Sequence, residues 1–311
     1  MPACAPYDAG RLGPVGAAYA VPVRSGTGVA EQVLSLLALP GVAEAVEQTR
    51  TASTELRWHQ ALRRRIPEAA AESRVRGATA TALLEGSEPA GSQGTVRLVR
   101  DIMRGAVAWS EELDPVERVL KAGVQVTAAT ELVGAAAMSS PAQLLARLHV
   151  AATADLLPAE QIGRPRQAGE TSTEFGDLGE AVPAEQLPQR LGQVYDLLGT
   201  LRSGGSALVV ASLVHAELVT IRPFVSGNGL VARALERVVH RVGGLDPTGV
   251  AVPELGHAQK VGADYRGALT AYGQGGAEGV RLWILQCAEA SVTGARAGTA
   301  IADAVLAGRL T

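Results

Sequence analysis

The sequence predicts an all-α helical bundle interrupted by one short β-like insertion. Three observations predict it. Apolar residues recur three and four apart from Gly28 almost to the C-terminus, Gly and Pro punctuate these runs as helix stops and starts, and the period fails only between about Pro158 and Pro183. A chain of 311 residues with 47% hydrophobic and 19% charged residues can bury a substantial core, and with aromatics at only 3% that core must be filled by Ala, Leu and Val.

The elements follow in order. Residues 1–25, with Pro2, Pro6, Gly10, Gly13, Pro14, Gly16 and Pro22, form an irregular N-terminal arm. An N-terminal helical region spans 26–124. "VAEQVLSLLAL" and "GVAEAVEQTRTASTELRWHQALRRRI" are helical until Pro67, with Arg63, Arg64 and Arg65 on a solvated face. A helix at about 71–86 stops at Gly86, and Asp114 with Pro115 supplies an N-cap and first-turn proline for another. Residues 125–290 continue as a helical domain, and 291–311 as a C-terminal helix. The turn-rich stretch from Pro158 to Pro183 reads as a short β-hairpin flap lying over a site. In "LVARALERVVHRVG", Val231, Leu235, Val238 and Val242 make one apolar stripe, with Arg233, Glu236, Arg237 and Arg241 elsewhere on the helix surface.

Several functions are disfavoured at once. A formal net charge of −3 and a pI near 6.0 give no electrostatic reason to expect nucleic acid. No apolar run has the length and purity of a membrane span, and Cys4 and Cys287 have neither a disulfide framework nor metal-ligand spacing, so a soluble cytoplasmic protein is expected. His59, His149, His215, His240 and His257 are scattered, and no metal is expected on them. There is no Gly-x-Ser-x-Gly elbow, no GxxxxGK[ST] loop and no dinucleotide fingerprint.

One segment carries chemistry: "TIRPFVSGNGLVAR", residues 220–233. A helix ends near Ile221 and another begins at about Leu230. Gly227 and Gly229 let the backbone turn tightly, so that amides at the new helix's start can face one anion. Asn228 adds a side-chain donor and Arg233, one turn on, a guanidinium suited to a second phosphate. Taken alone, "SGNG" reads sooner as a plain helix-to-helix turn than as an anion site.

The wider stretch "HAELVTIRPFVSGNGLVAR" resembles the signature of the Fic (Fido-domain) family, whose loop reads His-x-Phe-x-Asp/Glu-Gly-Asn-Gly-Arg-x-x-Arg between two helices. Phe224, Gly227, Asn228, Gly229 and Arg233 match it. His215 matches a helical histidine before the loop, Gly163 and Arg166 a flap opening, and "DYRGALTAYGQ" with Trp283 the C-terminal helices, so the resemblance covers roughly residues 125–290. It implies a Fic-type bundle with a flap, and an ancestry in transfer of AMP from ATP to a protein hydroxyl. It also implies an inhibitory helix: "TALLEG" resembles the family's Ser/Thr-x-x-x-Glu-Gly/Asn, with Thr81, Glu85 and Gly86 as its marked residues and Glu85 pairing with Arg233.

Three departures bear on activity. Arg222 stands where the family has its catalytic histidine, and an arginine has no acceptor with which to take a proton. Ser226 replaces the magnesium-holding carboxylate, leaving Mg²⁺ weakly held or unbound. Leu230 replaces the first motif arginine. The expected ligand is ATP, another nucleotide or a phosphate-bearing small molecule, held by Phe224, Ser226, Gly227, Asn228, Gly229 and Arg233. Arg222, Asn228 and Arg233 are the candidates for any residual catalysis. A nucleotide-binding protein with AMP transfer lost or very weak leads. An active transferase with altered chemistry and a protein-interaction module holding a target under the flap stand as alternatives, and the oligomeric state is open, a dimer included. The nucleotide reading requires an open cradle; residues 227–229 turned inward, or plugged by a neighbouring side chain with no opening to water, would defeat it.

Overall fold

The computed structural model describes residues 28–89 and 91–309, so the predicted N-terminal arm lies outside the described residues. Twelve α-helices follow one another: α1 (Val29–Ser35), α2 (Val42–Arg57), α3 (Ile66–Leu84), α4 (Gly91–Met103), α5 (Pro115–Ala129), α6 (Pro141–Thr153), α7 (Leu187–Gly199), α8 (Ala207–Ile221), α9 (Asn228–Val242), α10 (Pro253–His257), α11 (Ala263–Gln274) and α12 (Gly276–Leu306). The all-α expectation is met, and no strand occurs among the described residues.

Local chemistry sets the boundaries. Asp114 caps α5 through a reciprocal capping box, its side chain accepting from Glu117 N–H at 2.8 Å while Glu117 accepts from Asp114 N–H at 3.1 Å. Prolines at the first turns of α3, α5, α6 and α7 occupy positions where no intrahelical N–H is needed. α5 runs through residue 124, and α12 through residue 290 in an unbroken 31 residues.

α8 and α9 form the central antiparallel pair, with α12 crossing α2, α8, α10 and α11, and α3 packed on α5, α4 and α10. α8 is apolar on every side and buried from Leu208 to Val219, as expected of a helix with neighbours all round. Trp283 is fully buried and donates its indole N–H to Ser212 O at 2.6 Å, which satisfies its one polar atom. No single helix among the described residues is long and apolar enough to cross a membrane.

α9 departs from its predicted amphipathic pattern. Arg233, Glu236 and Arg237 are buried along with the apolar stripe, each against an ionic or hydrogen-bonding partner from another helix. Helical period identifies apolar faces; it does not show which polar side chains have buried partners waiting for them.

The predicted flap, 158–183, is a lid without a hairpin. It winds through short 3₁₀ turns at Ala159–Gln161 and Gly176–Leu178, and its carbonyls accept from arginine side chains instead of from a facing strand. Gly169 and Gly179 take positive φ values of 84° and 90°, allowing the sharp bends on either side of residues 170–178.

Candidate functional site

The loop between α8 and α9 begins at Arg222, whose backbone is left-handed (φ 45°, ψ 66°), and ends at Gly227 (φ 84°), directly before α9. α9 therefore starts at Asn228, two residues earlier than its sequence suggests. Gly227 has little room for any other residue: a Cβ there would lie 2.7 Å from Thr153 Cγ2, in a conformation already unfavourable for side chains.

The loop is shaped from inside. Asn228 Oδ1 accepts from Phe224 N–H at 2.9 Å, and its Nδ2 donates back to Phe224 O at 3.0 Å. Phe224 is buried and stacks on His149 from α6, with ring centroids 3.9 Å apart. His149 Nδ1 accepts from Gly163 N–H at 2.9 Å, which leaves Nε2–H to donate to Ser226 O at 3.1 Å. One buried imidazole thus ties the loop to the start of the lid, and burial lowers its pKa to about 4, so it stays neutral.

The amides at the start of α9 do form an anion receptor, and the chain supplies its own anion. Glu174, from the lid, places its carboxylate in the cradle. Oε1 accepts from Ser226 Oγ at 2.8 Å and Gly227 N–H at 2.6 Å; Oε2 accepts from Asn228 N–H at 2.8 Å and Asn228 Nδ2 at 2.7 Å. Burial and the charge of Glu85 raise the Glu174 pKa, against the pull of these donors. The expectation of an open cradle is therefore overturned: with Glu174 seated, the four donors it engages are not free to meet a phosphate. The same contacts bear on Mg²⁺. Ser226 gives its hydroxyl proton to Glu174, and each Glu174 oxygen already accepts two hydrogen bonds, so neither residue offers a free hard-oxygen ligand and the arrangement does not fit the ion.

Arg222, in the position of the expected base, acts as a clamp. It is 1% exposed; Nη1 donates to Glu174 O at 2.9 Å and Phe175 O at 3.2 Å, and Nη2 to Gly179 O at 2.8 Å. Burial and the neighbouring Arg166 lower its pKa from that of a free guanidinium, but every hydrogen bond its side chain makes is as a donor. Arg166 holds the other side of the lid, donating to Arg222 O at 2.8 Å, Val182 O at 2.7 Å and Glu170 O at 3.1 Å. From α11, Arg266 pairs with Asp177 and lies over the Phe175 ring, 5.3 Å from its centroid.

The pair expected from the inhibitory motif is present. Glu85 caps the end of α3 and accepts from Arg233 Nη2, Thr81 Oγ1 accepts from Arg233 Nε at 2.6 Å, and Gly86 takes the left-handed turn that ends the helix. Burial alone would lower the Arg233 pKa, but Glu85 and Tyr265 hold it above its ordinary value. Gly229 is where the two carboxylate-bearing segments meet: a Cβ there would collide with Glu85 Oε1 and lie 2.9 Å from the Phe175 ring.

Behind Arg233 lies a cluster that the linear spacing of the histidines concealed. Arg233 Nη1 donates to Tyr265 OH (3.2 Å), which donates to His215 Nε2 (3.0 Å); His215 Nδ1–H then donates to Glu236 Oε2 (2.7 Å), which also accepts from His257 Nε2–H (2.9 Å). The donor directions follow from the network. His215, Glu236 and His257 come from three helices, and their metal-ligating atoms lie within 4.8 Å of one another. In this arrangement Glu236 is held well below the usual carboxylate range: burial would raise it, but His257 and His215 more than offset that. Burial brings His215 down to about 4, keeping it a neutral donor and acceptor.

Chemically, the site gathers donors and anions, and among the described residues its two carboxylates, Glu174 and Glu85, are both engaged by donors. Phe224, Ser226, Gly227, Asn228, Gly229, Arg233, Thr81 and Glu85 come together as the sequence pattern implied. Glu174, His149 and Tyr265 are the additions.

Residues 139–239 match the family model of the Fic/DOC family. No curated protein matches the sequence. Among solved structures, a Fic family protein from Desulfovibrio desulfuricans G20 superposes with a TM-score of 0.59 at 22% identity, covering 81% of this chain and 73% of that one. A Fic domain containing signaling protein from Bacteroides thetaiotaomicron VPI-5482 gives 0.57 at 14% identity, over 83% of this chain and 98% of that one. Fic-1 from C. elegans gives 0.57 at 17% identity, over 86% and 74%. At these identities the likeness is one of fold, while the family match spans the loop itself. Residues 139–239 are thus similar to the Fic/DOC family, and the helical body around them has the fold of these solved Fic structures.

Proposed function

We propose that this chain is a Fic-fold protein of the cytoplasm whose loop, once vacated, binds the phosphates of a nucleotide, ATP being the reference ligand, and that ordinary AMP transfer to a protein hydroxyl has been lost or is very weak. The observation that carries the reading is the convergence of four donors, Ser226 Oγ, Gly227 N–H, Asn228 N–H and Asn228 Nδ2, on the two oxygens of one carboxylate. A receptor that saturates a carboxylate in this way has the donors a phosphoryl group needs. Arg233 adds a buried guanidinium one turn along.

Loss of transfer follows from Arg222. A missing general base costs about 10²- to 10⁴-fold in rate, and Ser226 offers no carboxylate in compensation. Nor can Arg222 swing in to stabilise phosphoryl charge without releasing the three lid carbonyls it holds.

The test is calorimetric titration of ATP into the wild type and into Glu85→Ala/Glu174→Ala, alongside incubation of both with labelled ATP and an extract. The reading expects only weak binding to the wild type, much tighter saturable binding to the double variant, and no covalent label in either. An absence of binding in the double variant favours an interaction module with a vestigial loop. Label that is transferred by the wild type and lost in Asn228→Ala favours an active transferase.

A further inference from the structure

We infer that Glu174 is an internal ligand of the cradle and that Glu174 and Glu85 act as two antagonistic latches, so that releasing the inhibitory-helix glutamate alone tightens the lid's grip and leaves the cradle filled. The inference rests on the proposed function only for the identity of the ligand they exclude.

The geometry gives each latch its own partner. Glu174 holds the N-terminal amides of α9, while Glu85 holds the Arg233 guanidinium one turn further along the same helix. They arrive from opposite sides, one on the lid and one on the end of α3, and converge at Gly229, whose missing Cβ leaves room for Glu85 Oε1 and the Phe175 ring together. Phe175 follows Glu174 directly and takes a left-handed backbone (φ 51°), which turns the ring toward Gly229 as the carboxylate enters the cradle.

Two like charges brought to one helix end repel, and low-dielectric surroundings strengthen the repulsion. The upward push of Glu85 on the Glu174 pKa is the same effect seen in protonation. Each latch therefore weakens the other. If Glu85 and Glu174 close the site with constants K₁ and K₂, and their repulsion reduces the doubly closed state by a factor c below one, removing Glu85 improves ligand binding by about cK₁ and removing Glu174 by about cK₂. Removing both improves it by about K₁K₂c, which exceeds the product of the single effects by 1/c. A variant lacking Glu85 alone leaves the cradle filled by a carboxylate that has lost its repulsive neighbour.

Amide hydrogen exchange of the full chain reads this without any ligand. Glu85→Ala should slow exchange at Gly227 and Asn228 by threefold or more, and Glu174→Ala should speed it at least tenfold. Exchange that is unchanged within twofold, or accelerated, in Glu85→Ala overturns the inference. Glu85→Gln and Glu174→Gln remove the charges with little change in shape and serve where an alanine variant unfolds. ATP titration is the second readout. A double-variant affinity gain above the product of the single gains supports antagonism; one equal to or below that product refutes it. Absence of ATP binding to the double variant, with the exchange pattern as expected, defeats the nucleotide reading and leaves the two latches standing.

Discussion

Replacing Arg222 by glycine sets two effects against each other. Arg222 sits at φ 45°, a left-handed conformation that costs a non-glycine residue roughly 1–2 kcal/mol, so glycine relieves strain. Glycine also gives the unfolded chain more freedom, a loss of roughly 0.5–1 kcal/mol that cancels much of the relief. On the other side stand three hydrogen bonds to the carbonyls of Glu174, Phe175 and Gly179. At about 1 kcal/mol net each, they contribute on the order of 3 kcal/mol. Arg222 Nε is buried without a hydrogen-bond partner, which trims that figure. The clamp wins, and a net loss of about 2 kcal/mol is expected. Because all three acceptors lie on the lid, the loss should appear first as lid opening, about a 30-fold rise in the open population at 1.4 kcal/mol per decade. Limited proteolysis within residues 170–178 measures it under conditions where cleavage follows the open population. A variant cut no faster than wild type, or with a raised melting temperature, would refute the clamp and make Arg222 a strained residue without a structural task.

Three further outcomes follow from buried charge. The folded-state pKa values of His149 and His215 are both about 4, against about 6.5 unfolded, so the unfolded chain binds protons first as pH falls. Their stabilising effect is intact above about pH 6.5 and is lost progressively down to about 4, by up to roughly 3 kcal/mol each at 1.36 kcal/mol per unit; urea midpoints across that range should drop, and less steeply in His149→Gln. Arg237→Met strands the buried Glu254, which Arg237 meets at 2.9 and 3.2 Å, and should cost about 3–5 kcal/mol in urea unfolding, with much of it recovered in Arg237→Met/Glu254→Leu. Tyr265→Phe removes the hydroxyl between Arg233 and His215 and should cost about 1–3 kcal/mol in the same assay.

How much the sequence disclosed depended on contiguity. The helices were legible because each is its own periodic segment, and the receptor loop because its residues lie within 220–233. The Glu85 to Arg233 pair was legible only through a motif, since 148 positions separate its members. Glu174 lies 52 residues before Ser226 in the one stretch without periodicity, and His149 lies 77 before it on a helix where it reads as one more core position. The hairpin failed for a related reason. Glycines and prolines mark where a chain bends, not what its backbone will bond to, and here Arg166 and Arg222 engage the carbonyls that a second strand would have used.

The departures from the family pattern make sense as one set. A carboxylate at 226 would face Glu174 across the distance now spanned by the 2.8 Å hydrogen bond from Ser226 Oγ, and two anions cannot share that contact. Serine turns the same position into a donor that helps seat Glu174. With Glu174 seated, its own carbonyl comes within reach of Arg222, a bond that an imidazole could make only singly and that Arg222 extends to Phe175 and Gly179. Leu230 is 2% exposed within the main core, where an arginine would be a buried charge needing a partner of its own. Introducing the motif residues one at a time should therefore unsettle the lid: Ser226→Asp repels Glu174, and Arg222→His frees the carbonyls that hold it. The altered residues, the lid glutamate and the clamp depend on one another, and the closed site is the state they jointly stabilise.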